Sequence, residues 1–321
     1  MSQSVTELRR FWLDGLNEVV GNPDPPDLRA WIGREEFQVY ASEGDPFHLN
    51  FSDSLDVRRA IAGEVQRFSL AALETKSSIQ RTAILPKSTA WAIVQWYYAA
   101  FYAAHAILRM CGTSLVQLEN GHAKDICRVA GNYGYVMTAT AGFHKAEVLS
   151  ASKQVRFERM TGGKGGSHQY LWKMFDQWLK ACEQDLLLSP GASTAIQDLA
   201  QDLAHIRGVL SREGHSHAGW LSHVRNRVNY RHEYSAWFPY RNFRPSQLSI
   251  YDLNSQGGGA STSAGISRLL RSEPIPAFVG CCQAITSICE ELCQEMAKRC
   301  PQGQSFQHLG SVHLENILGQ R

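Results

Sequence analysis

The sequence predicts an all-α protein, a multi-helix up-and-down bundle with a small irregular segment at its N-terminus. Apolar residues recur at spacings of three and four over most of the chain after residue 54, as expected of helices that bury one face. One stretch, 88–111, is apolar or aromatic around its whole circumference and therefore needs cover from other helices. Only residues 37–40 resemble a strand.

Composition and charge narrow the functional classes. The 321 residues, 44% hydrophobic and 19% charged, are typical of a globular protein with a sizeable core. A net charge of +2 produces no strong overall field, so a nucleic-acid role needs a local basic patch. The first residues contain no uninterrupted apolar segment, so we expect no secretory signal. Together with eight unevenly spread cysteines, this favours reduced thiols and a cytoplasmic protein.

The chain is predicted to divide into an N-terminal appendage, a helical domain with glycine-rich insertions and a C-terminal tail, at residues 1–50, 51–300 and 301–321. Within the appendage, residues 4–20 predict a short amphipathic helix, which the run GNPDPP that follows ends. The role of the appendage is left open.

Helical periodicity recurs along the second part. It predicts a long amphipathic helix from Ser54 and further helices at 122–130, 171–186, 196–210, 219 onward and 278–296. Glycines between 112 and 166 and the low-complexity run 255–263 predict long, mobile connections. The glycine run at 161–167 could offer backbone N–H groups to a phosphate, but it lacks the P-loop pattern. A flexible connection is therefore favoured there.

The central helix, 88–111, has Gly112 as a natural terminator. It is long enough to cross a membrane, but polar side chains in mid-span, among them Gln95 and His105, favour a helix buried in a bundle. We therefore expect no membrane association.

Two sets of side chains could bind a metal ion, but each also has a simpler structural explanation. Three cysteines share one helix face without the C-x(2–4)-C spacing of structural zinc, so we interpret them as buried apolar side chains: Cys282, Cys289 and Cys293. Three histidines before and within the helix from 219 could bind a transition metal but lack an obvious acidic partner: His215, His217 and His223. No metal or other cofactor is predicted, and a metal-dependent enzyme stays an alternative.

The most informative stretch is 220–234. Helical projection places Arg225, Asn229 and His232 at i, i+4 and i+7, as a cluster at the rim of the face formed by Trp220, Leu221, Val224 and Val228. An imidazole titrates near neutral pH and can move a proton. A guanidinium can hold a phosphate and stabilise the charge that develops during its transfer. The cluster resembles a phosphodiester-cleaving site. The spacing of Arg and His alone is a weak signal, and an exposed basic helix that makes surface contacts is the alternative.

Two segments together resemble the HEPN superfamily, the all-α domains named for higher eukaryotes and prokaryotes nucleotide binding. They are WYYAAFYAAHAIL at 96–108 and RNRVNYRH at 225–232. Members typically carry an early helix rich in Tyr and Ala. A later helix carries Arg, a polar residue, and His four to six residues on. Arg225 and Asn226 before His232 fit the longer gap, whereas Arg227 fits the shorter one. The resemblance covers about residues 54–300.

The resemblance implies a metal-independent endoribonuclease that works as a homodimer with the motif helices facing each other. The RNA 2′-hydroxyl attacks the adjacent phosphorus and leaves a 2′,3′-cyclic phosphate. It implies that His232 transfers the proton, that Arg225 binds the scissile phosphate, and that Asn226 or Asn229 orients one of them. Relatives often act as toxins or antiviral defence effectors, so an antitoxin or sensor partner is expected. The alternative is a non-catalytic HEPN-like module that binds a nucleotide or a protein.

Overall fold

The structure, a computed structural model, is mainly helical (64%) with a four-stranded antiparallel sheet, so it is α/β and the all-α prediction is wrong. It describes residues 5–82, 89–162, 166–215, 217–237, 263–300 and 305–319. The helices α1 to α10 span Leu28–Gly33, Ser54–Thr82, Ala90–Met110, Asn120–Asn132, Gly166–Leu188, Thr194–Leu210, Trp220–Arg231, Ser263–Leu269, Pro274–Lys298 and Gly310–Gly319.

The sheet has the strand order β1-β4-β3-β2, with each neighbouring pair antiparallel. Its strands β1 to β4 span Phe47–Asn50, Thr113–Leu118, Gly142–Leu149 and Gln154–Arg159. Strands β1 and β4 carry the alternating pattern of a half-buried strand, with Phe47, Leu49, Val155 and Phe157 buried, and the all-α prediction overlooks it. In β3 the alternating buried residues are His144 and Ala146, which a search for strongly apolar residues does not detect.

The chain forms two compact units. The first comprises Met1–Arg10, Ser69–Ala104 and Leu171–Leu292, and the second Phe11–Phe68, His105–Tyr170 and Cys293–Arg321. The sheet belongs to the second unit, whereas α7, with the predicted site, belongs to the first. In the described residues of the first unit, the regular secondary structure is helical.

The short amphipathic helix predicted over 4–20 is not continuous in the described residues of this stretch, of which only Val5 is α-helical. Two 3-10 segments take its place, Thr6–Phe11 and Leu16–Glu18. Between them Gly15 has a φ of 72°, a left-handed backbone that side chains disfavour, and a Cβ there would collide with the Arg58 guanidinium. The strand-like passage at 37–40 contributes one isolated bridge, from Gln38 to Asn50.

The central helix is confirmed as α3, although its predicted start at Ser88 lies outside the described residues. It ends as predicted, because Gly112 has a φ of 71° and its N–H donates to the Arg109 carbonyl over 2.9 Å. No helix in the described chain is long and apolar enough to cross a membrane.

Residues 112–162 contain β2, α4, β3 and β4, so the prediction of long, mobile connections between 112 and 166 is wrong for this stretch. The predicted short helix at 122–130 is confirmed within α4. The middle of the glycine run, 163–165, and the low-complexity run through residue 262 lie outside the described residues.

Candidate active site

Helix α7 buries the face that its sequence predicts. Trp220, Leu221, Val224 and Val228 are each fully buried. Arg225, next to this face, is only 7% exposed, so its charged end lies inside the first unit. The helix therefore holds a cation in a place where an arginine normally needs an anionic partner.

The Arg225 guanidinium packs on two tyrosine rings of α3. Its Cζ lies 4.9 Å from the ring centroid of Tyr97 and 5.8 Å from that of Tyr98. Aromatic faces attract a cation through their quadrupole and partly replace lost hydration. Among the described residues, Arg225 has no ion pair, and its buried Nε has no hydrogen-bond partner. The Arg225 guanidinium therefore keeps a hydrogen-bond donor, its Nε–H, with which it can bind an anion.

Tyr97 links the site to its surroundings through its hydroxyl. The hydroxyl lies 2.9 Å from the Ser222 Oγ of α7 and accepts a hydrogen bond from the Trp172 Nε1 of α5 over 3.1 Å. Burial raises the pKa of Tyr97, so its hydroxyl stays protonated at neutral pH. Ser222 and Arg225 lie one turn apart on α7, and Tyr97 contacts both. These two contacts fix the rotation of α7 about its own axis.

His232 does not continue the helix. Helix α7 ends at Arg231, and His232 has a φ of 53° in the left-handed region. Its exposed ring lies 5.8 Å from the ring of Trp237, whose Nε1 donates to the Val228 carbonyl over 2.7 Å. The helical projection that predicts a cluster of Arg225 and His232 therefore does not apply, because His232 lies outside the helix.

Distance along the helix separates the two residues further. Seven residues at the helical rise amount to about 10 Å along the axis. Arg225 points onto Tyr97 inside the unit, whereas His232 is exposed beyond the helix end. Of the two predicted asparagines, Asn226 is exposed and Asn229 is half-buried.

Arg227, the other candidate for the motif arginine, has its own partner. It forms an ion pair with Glu233, and its Cζ lies 5.1 Å from the Tyr234 ring centroid. The hydrogen bond from Arg227 lowers the pKa of Glu233. Because its charge is already neutralised, Arg227 is less suited than Arg225 to bind a phosphate.

The histidine cluster is only partly assembled. The rings of His215 and His223 lie 4.5 Å apart, whereas His217 is exposed. Partial burial, followed by the neighbouring His215, lowers the pKa of His223. Within the described ranges, no group of three or more His, Cys, Asp or Glu residues could hold a metal ion.

The predicted burial of the cysteines in α9 is confirmed. Cys282, Cys289 and Cys293 are at most 3% exposed. Burial raises the pKa of the neighbouring Cys281 to about 12, so this thiol is not a thiolate at neutral pH. These side chains act as small apolar residues in the core.

Sequence reasoning missed residues that shape the site. Ser222 was detectable, because it lies three positions before Arg225 on the same side of α7. Trp172 and Trp237 carry no such signal, since their roles depend on contacts with other segments. Comparisons with protein-family models, curated proteins and solved structures find no match.

Proposed function

We propose that the protein is a metal-independent endoribonuclease. The observation that carries the proposal is Arg225, a buried guanidinium that stacks on Tyr97 and has no carboxylate partner among the described residues. Such a cation favours an anion, and a guanidinium fork matches phosphate oxygens. The likeness of 96–108 and 225–232 to HEPN segments supports RNA as the source of the phosphate.

The proposed reaction is an internal transfer of the phosphoryl group. His232 accepts the proton of the RNA 2′-hydroxyl, the 2′-oxygen bonds to phosphorus, and the bond from phosphorus to the 5′-oxygen breaks. The His232 imidazolium then gives its proton to the leaving 5′-oxygen, which yields a 2′,3′-cyclic phosphate and a 5′-hydroxyl and leaves His232 neutral again. Arg225 stabilises the added charge on the phosphoryl oxygens. Asn226 or Asn229 orients one of these groups.

The biological setting belongs to the same proposal. We expect a cytoplasmic toxin or defence effector, as many HEPN proteins are. An unregulated ribonuclease would damage its own cell, so its activity needs a regulator. An antitoxin or sensor protein that blocks or releases the activity is the expected partner. All eight cysteines are free thiols, which fits a reducing compartment.

A second candidate is a non-catalytic module that binds a nucleotide or a partner protein. The separation of Arg225 from His232 within one chain favours it, because a buried phosphate-binding group alone gives binding without proton transfer. This candidate predicts RNA binding that depends on Arg225, with no product at any enzyme concentration.

The test is cleavage of labelled single-stranded RNA in EDTA, with product ends identified by mass spectrometry. We expect cyclic-phosphate ends, and a loss of about 10²- to 10⁴-fold in rate for His232→Ala, the usual contribution of a general acid–base group. Arg225→Ala and Arg225→Lys should both lose activity, because lysine keeps the charge without the fork. Thermal unfolding of each variant checks that it folds.

Matched controls come from the exposed surface of the same unit. Arg271→Ala and His217→Ala remove an exposed arginine and an exposed histidine, and each should cleave as the unchanged protein does. Cleavage abolished by EDTA and by His217→Ala would instead support the metal-dependent alternative. Cleavage retained in both Arg225→Ala and His232→Ala would reject the proposed site.

A further inference from the structure

The outer side of α7 carries an aromatic ring that the fold does not use. Tyr230 is 69% exposed, and it forms no ring contact or hydrogen bond with the described residues. It lies two positions before His232 and one turn after Asn226, which is also exposed. The helix thus presents a flat ring to solvent one turn from Asn226, in the last turn before His232.

An exposed arginine, Arg231, directly follows this ring in the chain. Residues 220–231 include Arg225, Arg227 and Arg231 and no Asp or Glu. Glu233 neutralises Arg227, whereas Arg231 is exposed and has no ion pair within the described chain. An exposed aromatic side chain alone is ordinary on a protein surface. Proteins that bind single-stranded nucleic acids combine exposed aromatic rings, on which bases stack, with positive charges that hold the phosphates.

We propose that Tyr230 is a stacking platform for an unpaired base of single-stranded RNA, with a phosphate next to that base held by Arg231. The inference rests on the proposed function and specifies its substrate class. Every base has a π-face, so stacking tolerates different sequences. In a duplex the base faces are covered by their neighbours, so Tyr230 selects single strands, loops and ends.

Position relative to His232 gives the platform its effect on cleavage. A base that stacks on Tyr230 is anchored at the C-terminal end of α7, where His232 is exposed. Stacking therefore holds the strand at the helix end that carries the imidazole. Tyr230 is a positioning residue, and its removal should weaken binding and raise KM more than it lowers kcat.

The experiment measures affinity separately from cleavage. Fluorescence anisotropy follows binding of a single-stranded RNA whose 2′-hydroxyls are methylated, so that it cannot be cleaved. Tyr230→Ala should bind about tenfold or more weakly, in line with the loss of one stacked base. Tyr230→Phe keeps the ring and should bind as the unchanged protein does. With an oligonucleotide that is abasic throughout, the unchanged protein and Tyr230→Ala should bind equally.

Controls separate stacking from general surface effects. Tyr133 is 48% exposed in the second unit, and Tyr133→Ala should leave affinity unchanged. A duplex of the same sequence should bind equally to the unchanged protein and to Tyr230→Ala. Equal affinity of Tyr230→Ala for the single strand, or a loss in Tyr230→Phe as large as in Tyr230→Ala, overturns the inference.

The two proposals fail in different ways. Single-stranded RNA binding that depends on Tyr230 without any cleavage would reject the endoribonuclease and keep the platform. Cleavage that depends on Arg225 and His232, with unchanged affinity and KM in Tyr230→Ala, would keep the endoribonuclease and reject the platform.

Discussion

At the scale of single residues, the second unit contains a buried polar cluster around Arg109. The Arg109 guanidinium donates to Glu64 over 2.8 Å and to the His105 Nδ1 over 2.8 Å. The His105 ring also stacks on Phe68, at 4.5 Å between centroids. Because its Nδ1 accepts a hydrogen bond from a cation, His105 is held in the neutral form. A proton on that nitrogen would face the Arg109 charge.

This cluster predicts how stability depends on pH. Burial, and then the Arg109 charge, holds the pKa of His105 well below its ordinary value of 6.5. As pH falls below 6.5, the unfolded chain takes up this proton and the folded chain does not, so the free energy of unfolding decreases. His105→Asn keeps an acceptor near the Nδ1 position without a titrating group. It should lose less stability than the unchanged protein between about pH 7 and about pH 5, measured by urea denaturation.

The comparison isolates His105 because every other histidine is present in both proteins. His144 and His223 also have lowered pKa values and are present in each. His217→Asn, at an exposed position, should follow the pH dependence of the unchanged protein. Parallel pH curves for His105→Asn and the unchanged protein would show that His105 is protonated in the folded state.

At the scale of elements, we expect the same substitution, glycine to alanine, to have opposite effects on the free energy of unfolding at Gly112 and at Gly131. Gly112 ends α3 with a φ of 71°, and an added Cβ would lie 3.3 Å from the Leu13 Cδ1. Gly131 lies inside α4, where an added Cβ meets nothing within 4 Å. Gly112→Ala should lower the free energy of unfolding by about 1–2 kcal/mol, since left-handed backbone disfavours a side chain. Gly131→Ala should raise it by about 0.5–1 kcal/mol.

Chemical denaturation of both variants tests the pair together. The substitution is the same, so general effects of an added methyl group cancel in the comparison. If Gly112→Ala were as stable as the unchanged protein, the left-handed end of α3 would not hold in solution. If Gly131→Ala were destabilised, the Gly131 site would be more crowded than the structure has it.

The elements differ in how far sequence predicts them. Long helices such as α2 and α3 show their periodicity within one contiguous segment, so they are predictable. The sheet is not, because β1 pairs with β4, more than a hundred residues later in the chain, as Phe47 with Phe157. Such pairing depends on tertiary contacts, so even β4, which alternates buried Val155 and Phe157 with polar residues, does not reveal its partners.

The candidate site, too, is predictable from the sequence only in part. The buried face of α7 and the place of Arg225 beside it follow from helical projection. The end of the helix does not, because His232 adopts the left-handed conformation in which glycine or asparagine is expected. The helical projection is valid only as far as Arg231, where α7 ends. It therefore assigns His232 to the wrong position.

At the scale of the whole molecule, the separation of Arg225 from His232 bears on the expected homodimer. Within one chain the guanidinium lies against Tyr97, about 10 Å along the helix from the exposed His232. In a two-fold dimer with facing motif helices, the Arg225 of one protomer can be served by the His232 of its partner. We therefore expect each proposed active site to be shared between protomers.

A mixing experiment tests the shared site. Arg225→Ala and His232→Ala should each be inactive alone, and a dimer with one protomer of each kind has one intact site. Equal mixing with random exchange should restore about a quarter of the unchanged activity, since half of the dimers are mixed and each retains one of its two sites. Light scattering establishes the dimer and its exchange. Activity that stays absent in a mixture with demonstrated exchange would place both residues of each site in the same chain.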